Sequence, residues 1–168
     1  MLDKLLVVLK DLPNELITII IAALPVSELR GSIPIAYLTL KEPLLKTYFL
    51  SIIGNIVPVI PLLLFLRPLS EKLRHFRLWR RFFDYLFERT RKKAALVEKY
   101  EALGLILFVA IPLPVTGAWT GSIAASLFKI RFRYAFLSIC LGVFIAGLIV
   151  SAVTIIGKGI FFKLFVAG

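Results

Sequence analysis

Two apolar stretches, Leu16 to Leu40 and Leu103 to Phe128, are long enough to cross a lipid bilayer, yet each is interrupted at its middle by residues that hydrocarbon rejects. The first interruption reads Pro25-Val-Ser-Glu28-Leu-Arg30-Gly31-Ser-Ile-Pro34. The second reads Pro112-Leu-Pro114-Val-Thr116-Gly117-Ala-Trp119-Thr120-Gly121. Irregular backbone and a charged pair survive at membrane depth only where protein buries them or a watery cavity receives them, so such places belong to transport paths. The arms before the breaks, Leu16 to Leu24 and Leu103 to Ile111, are nine residues each. At 1.5 Å per residue that is roughly 13 Å, about half of a ~30 Å hydrocarbon core, so each arm reaches the midplane and stops.

Two further stretches, Leu44 to Leu66 and Tyr134 to Gly157, have the ~20 apolar residues of a crossing helix, with cations just outside them. With 60% hydrophobic residues and a mean hydropathy of +0.93 over 168 positions, the chain reads as one all-α integral membrane domain. Its net charge of +11 would suit a nucleic-acid binder, but the cations cluster between apolar segments, the arrangement that anchors loops on the cytoplasmic side. No nucleic-acid partner is expected. Cys140 is alone inside an apolar run, which leaves it a packing role.

The placement of cations bears on whether the broken stretches cross or double back. Eleven fall between Arg67 and Lys99, and three more at Lys129, Arg131 and Arg133. If Leu103 to Phe128 is re-entrant, both groups share one face, and the positive-inside bias favours that arrangement, with the central basic loop cytoplasmic. Four kinked crossings is the alternative. The halves also match at a constant offset of 87: Ala23-Leu24-Pro25 with Ala110-Ile111-Pro112, and Phe49-Leu50-Ser51-Ile52 with Phe136-Leu137-Ser138-Ile139. The expected fold is an inverted repeat of re-entrant helical hairpin plus transmembrane helix. Its parts are an interfacial helix over 1–13, repeats over 14–66 and 102–157, a linker over 67–101 and a tail over 158–168. In the linker, Leu69, Leu73, Phe76, Trp79, Phe83, Leu86 and Phe87 recur at helical spacing among Arg and Lys, which predicts an amphipathic helix on the anionic cytoplasmic leaflet. His75 within it is expected to be interfacial.

Glu28 and Arg30 are the charged residues inside the four apolar segments, their ends excluded. A guanidinium nearby would hold the carboxylate ionised against desolvation. The functional reading gives Glu28 a proton or other cation and Arg30 an anionic substrate group; the plainer reading is a buried pair that pins the hairpins. The second arms are expected to begin after Ser32 and Pro34 in one hairpin and after Thr116 and Gly117 in the other, because Ser and Thr cap helices and Pro suits a first turn. Asn55 is a further site candidate beside Pro58 and Pro61, which kink the first span. The expected substrate site therefore comprises Glu28, Arg30, Gly31, Pro34, Asn55, Pro112, Pro114, Thr116, Gly117, Trp119 and Thr120. In the last span Ser138, Gly142 and Ala146 recur every four residues, a pattern that lets helices approach closely within the protomer or between protomers; because four short elements could hardly enclose a pathway alone, a homodimer is expected. No Ser/His/Asp set, paired intramembrane carboxylates or metal-spaced ligands occur in the apolar segments, so neither an enzyme nor a cofactor is expected.

At Glu28-Leu-Arg30-Gly31-Ser-Ile-Pro34 and from Ala110 through Gly121, the chain resembles the small multi-drug export protein family of prokaryotic membrane proteins, over about residues 20 to 157. That likeness implies a prokaryotic plasma-membrane protein that exports small molecules. More distantly the chain is similar to the DedA-like proteins, whose paired re-entrant hairpins are linked to lipid phosphates and to proton-dependent drug resistance. That group carries arginines around the proline of its second hairpin, where this chain has Val109 and Val115; Arg30 could substitute if the hairpins meet. Three functions follow as expectations: a proton- or ion-coupled carrier of an amphipathic anion or lipid phosphate, an exporter of cationic drugs with Glu28 as counter-ion, and an uncoupled lipid scramblase.

Overall fold

A computed structural model of the chain describes residues 12–73, 102–113 and 116–165. Residues 1–11 of the expected interfacial helix over 1–13, most of the linker with His75, and Pro114 lie outside the described residues. All the regular structure described is helical: α1 (Asn14–Ala23), α2 (Glu28–Pro34) continued by a π-helical turn (Ile35–Thr39), α3 (Leu44–Ile56), α4 (Val59–Leu73), α5 (Ala102–Ala110), α6 (Ala118–Leu127) and α7 (Phe132–Phe165). The framework divides into two compact units, one of Met1–Asn55 with Gly147–Gly168, the other of Ile56–Ala146.

Two helical stretches are long and apolar enough to span a bilayer, Leu44–Leu66 and Phe132–Ile160. The first is α3 and the start of α4, joined through a turn at Val57 and Pro58 where the proline withholds its N–H from the ladder. Their apolar side chains face outward as much as inward. Phe49, Ile53, Leu64 and Phe65 on the first, and Leu137, Leu141, Leu148, Val153 and Ile156 on α7, are all exposed. Apolar surface on that scale is stable only against lipid or protein, which marks a membrane protein.

In the first unit the two ends of the broken stretch meet. Asn14 Nδ2 donates to Glu42 Oε1 at 3.0 Å, and Lys46 Nζ lies 2.6 Å from Glu15 Oε1 and 2.8 Å from Glu42 Oε2. α1 therefore leaves from the level at which α3 begins, and the chain returns there after α2 and the π turn. α1 and α3 run side by side in the same direction: further along, a Cβ placed on Gly54 would lie 2.4 Å from Ile19 O and 2.8 Å from Ala22 Cβ, so glycine is what lets the two backbones touch. α7 runs opposite to α3. Its Gly147 sits against Tyr48 and Ile52, while Lys158, three turns on, lies 4.6 Å above the Tyr37 ring before α3 begins.

The second unit packs α6 against both α4 and α5. Leu62 and Leu66 meet Ile123 and Leu127, and Gly121 admits Val109 of α5 and Ile139 of α7. Gly142 of α7 lies against Ile106 O and Val109 as Gly54 lies against Ile19 O. Each long helix is also preceded by a lysine in the left-handed region, Lys41 at φ 56° before α3 and Lys129 at φ 55° before α7. Each unit thus contains the series short helix, break, short helix, left-handed lysine, long helix, with α4 preceding it in the second unit and the end of α7 following it in the first.

Candidate functional site

The first break begins where α1 ends at Ala23. Pro25 and Val26 are exposed, and Ser27 turns inward to donate its hydroxyl to Ile21 O, fastening the break to the last turn of α1. Glu28 follows with φ 45°, a conformation that costs a non-glycine residue about 1 kcal/mol or more. Its amide donates to Leu24 O at 3.0 Å, and helix α2 starts at once. α2 therefore begins at Glu28, well ahead of the expected start after Ser32 and Pro34. Ser27 holds the N-cap position but spends its hydroxyl on Ile21 O, so the helix starts at Glu28 without a side-chain cap, and Ser32 then falls inside it. Pro34 closes α2, and the ladder widens into the π turn just after the residue that cannot donate an N–H.

Glu28 is 5% exposed. Arg30 Nη2 lies 3.7 Å from Glu28 Oε2, with the guanidinium side chain 28% exposed, so the carboxylate is inside and its cation reaches outward. Strained backbone and a buried charge at one residue make Glu28 a candidate site residue. Gly31 is required by the same turn, since a Cβ there would lie 2.6 Å from Ser27 Cβ. Along the buried face of α2, Ser32 stands one turn beyond Glu28, fully buried, with its hydroxyl oxygen lacking any hydrogen-bond partner in the protein.

On α3 the sequence candidate Asn55 is 1% exposed, and its Oδ1 likewise has no partner in the protein. It belongs to a longer series. Thr47 and Ser51, at four-residue intervals before it, are also fully buried with unpartnered hydroxyl oxygens, and Ser151 on α7 is a fifth such group. Sequence reading singled out Asn55 and passed over Thr47, Ser51, Ser32 and Ser151 as site residues. The four-residue spacing was the available signal.

The second break is stapled by Thr116. Its Oγ1 lies 2.7 Å from Ile111 O and 2.9 Å from Leu113 O, and accepts the Leu113 N–H at 3.1 Å. Gly117, at φ 155° and ψ −166°, occupies backbone space that glycine alone adopts readily and caps α6, which starts at Ala118 as the Thr-Gly pair predicts. Pro112 precedes the staple. Trp119 and Thr120 fall in the first turn of α6, half-buried, and Thr120 Oγ1 bonds back to Gly117 O at 3.3 Å.

Glu28, Arg30, Gly31, Pro34 and Asn55 thus belong to the first unit, and Pro112, Thr116, Gly117, Trp119 and Thr120 to the second. The breaks differ chemically: the first holds a charged pair, while Val115, which the 87-residue offset sets opposite Glu28, lies outside the described residues.

Residues 28–149 match the family described as "Putative small multi-drug export protein". No curated protein and no solved structure matches the chain. The matched region opens on Glu28, inside the first break, and takes in the whole of the second.

Proposed function

Because this chain belongs to the small multi-drug export protein family, we propose that it is a small secondary transporter of the prokaryotic plasma membrane, driven by protons or another ion. Its cargo is an amphipathic anion, such as a lipid phosphate. Glu28 is the coupling group, Arg30 the substrate anchor, and Gly31 and Pro34 shape the turn that presents them. Asn55 supplies a polar side chain alongside. In their own unit, Pro112, Pro114, Thr116, Gly117, Trp119 and Thr120 form the counterpart break.

The observation that carries this reading is the conformation of Glu28: a carboxylate 5% exposed, at positive φ, inside a helix break, with a guanidinium at 3.7 Å. A carboxylate so placed gains or loses its proton according to which charge stands beside it, which couples proton uptake to the arrival of an anion at Arg30. The clasp between Asn14, Glu42, Glu15 and Lys46 supports a re-entrant first hairpin, since the broken stretch starts and ends at one level. The shared order of elements in the two units supports a duplicated plan, with the second copy inverted and the central basic loop cytoplasmic. A homodimer and membrane lipids complete the assembly, and the reading is of a carrier and not of an enzyme.

The test is transport by purified protein in vesicles under an imposed pH gradient. Glu28→Gln abolishes the response to the gradient, and Arg30→Ala weakens competition by phosphate-bearing lipids. Equal translocation by both variants and the parent across roughly pH 5 to 8 overturns the assignment. The family description favours a second reading, export of cationic drugs with Glu28 as counter-ion. It fails if phosphate lipids compete for transport and drug cations do not.

A further inference from the structure

Serine and threonine in apolar helices ordinarily turn their hydroxyls back to the carbonyl one turn earlier. Thr18 does so to Asn14 O at 2.8 Å, Ser122 to Ala118 O at 2.8 Å and Thr154 to Val150 O at 2.7 Å. Thr47, Ser51, Ser32 and Ser151 do not, although each is at least nine-tenths buried. These four oxygens, and Asn55 Oδ1, all belong to residues of the first unit and are buried. A buried polar group without a partner costs about 1–3 kcal/mol. Five together would consume much of the stability of a typical fold, so such groups are held by water or by an ion.

The geometry of α3 says which. At 100° per residue, Gly54, which meets α1, and Tyr48 and Ile52, which meet Gly147 of α7, bracket the arc on which Thr47, Ser51 and Asn55 lie. The three groups therefore point into the seam between α1 and α7. Along the axis they span eight residues, about 12 Å, with steps of about 6 Å. No single cation can touch Thr47 and Asn55 together, because oxygen ligands sit within about 2.6 Å of even a calcium ion. A file of roughly four waters at hydrogen-bond spacing fits the same length. One end of the seam lies one residue from Lys46 and hence at the clasp with Glu15 and Glu42. The other end is beside Gly54 and Ala22, two residues before α1 gives way to the break that holds Glu28. Ser151, one turn from Gly147 on the antiparallel α7, lies toward the clasp end, and Ser32 shares the buried face of α2 with Glu28.

We propose that Thr47, Ser51, Asn55, Ser32 and Ser151 line a water file that joins the Glu15–Glu42–Lys46 surface of the first unit to the depth of the Glu28 break and passes protons along it. The file deepens the carrier reading by naming the proton as the coupling ion. Its existence is tested without transport. Hydroxyl groups both donate and accept, which suits proton relay through water.

The experiment uses full-length protein in liposomes with the native cysteine removed by Cys140→Ala. Ser51→Cys exchanges the hydroxyl oxygen for sulfur, Thr47→Cys does the same with the loss of one methyl, and Ile139→Cys, fully buried, serves as the dry reference. Silver ion, small enough to follow a water path, is applied, and unreacted thiols are then counted by mass after denaturation and alkylation. The expected result is silver capture at residues 51 and 47 at least on the order of tenfold faster than at 139. Equal rates at all three positions overturn the file. A second measurement is thermal: Thr47→Val and Ser51→Ala lower Tm by roughly 2–4 °C each if water satisfies these groups. A rise in Tm in both overturns the proposal, as does saturable stabilisation by sodium, which would mean a compact ion site. Silver capture in a protein whose Glu28→Gln variant transports normally leaves the file standing and removes the carrier assignment.

Discussion

Gly54→Ala places a methyl group where α1 and α3 touch. The new Cβ would sit 2.4 Å from Ile19 O, 2.9 Å from Ile19 Cα and 2.8 Å from Ala22 Cβ. Ordinary contact needs about 3.4–4 Å, so the helices must part by roughly 1 Å. Two of the three obstructing atoms are backbone, and α1 is held at its start by Asn14 and Glu15 and along its length by buried Ile17 and Ile21. Overpacking of this kind costs up to about 3 kcal/mol, and alanine returns about 1 kcal/mol as the better helix former, which leaves about 2 kcal/mol of destabilisation. For a chain of this size that is a fall of roughly 4–8 °C in Tm. The matched control is Gly157→Ala on α7, where a Cβ meets nothing within 4 Å. There only the propensity gain operates, and Tm rises by roughly 2–4 °C. Thermal unfolding of both variants in one detergent reads the pair. A Gly54→Ala protein as stable as the parent refutes the close approach of α1 to α3, and with it the placement of Asn55 at the depth of the break.

Glu42 accepts from Lys46 and from Asn14, and the Lys46 contact first of all holds its carboxyl below the usual range. A depressed folded-state value contributes stability above the unfolded value that is lost as pH falls through the folded one, so Tm of the parent declines on acidification within roughly pH 3 to 5, and Glu42→Gln flattens that decline. Ser27→Ala removes the hydroxyl that fastens the break to Ile21 O and lowers stability by about 1 kcal/mol, whereas Ser122→Ala, which loses a bond within its own helix, stays within about 0.5 kcal/mol of the parent; denaturant unfolding of the two separates them. Thr116→Val leaves the Leu113 N–H without its side-chain acceptor and costs about 1–2 kcal/mol by the same assay, while Thr120→Val costs less because its 3.3 Å bond to Gly117 O is weak.

The long helices were legible because length and hydropathy suffice for them: Leu44 to Leu66 is the span expected, and Tyr134 to Gly157 lies inside a helix that continues to Phe165. The breaks were legible at Pro25 and Pro112, because a proline withholds its N–H from the ladder and biases the residue before it toward extended backbone. The restart of α2 was not. Ser27 stands at the N-cap but makes no side-chain cap bond, and the glutamate after it takes φ 45°, a conformation that residue type does not signal. Lys41 and Lys129 take the left-handed region for which glycine would have been the signal. At the candidate site, Glu28, Arg30 and Asn55 stood out as polar residues in apolar stretches. Thr47, Ser51 and Ser151 did not, because most helical hydroxyls satisfy themselves on their own backbone, as Thr18 and Thr154 do. Only the side-chain direction distinguishes the two kinds.

The clasp that ties Asn14 and Glu15 to Glu42 and Lys46 has a consequence for biogenesis. A polypeptide whose polar flanks stay paired on one side can enter a bilayer sideways as a preformed plug, and no hydrophilic stretch need be threaded through the insertion machinery to seat it. On the re-entrant reading proposed above, Lys41, Glu42 and Lys46 stay in the compartment that holds Asn14, and the helix that begins at Leu44 is the part of this unit that crosses.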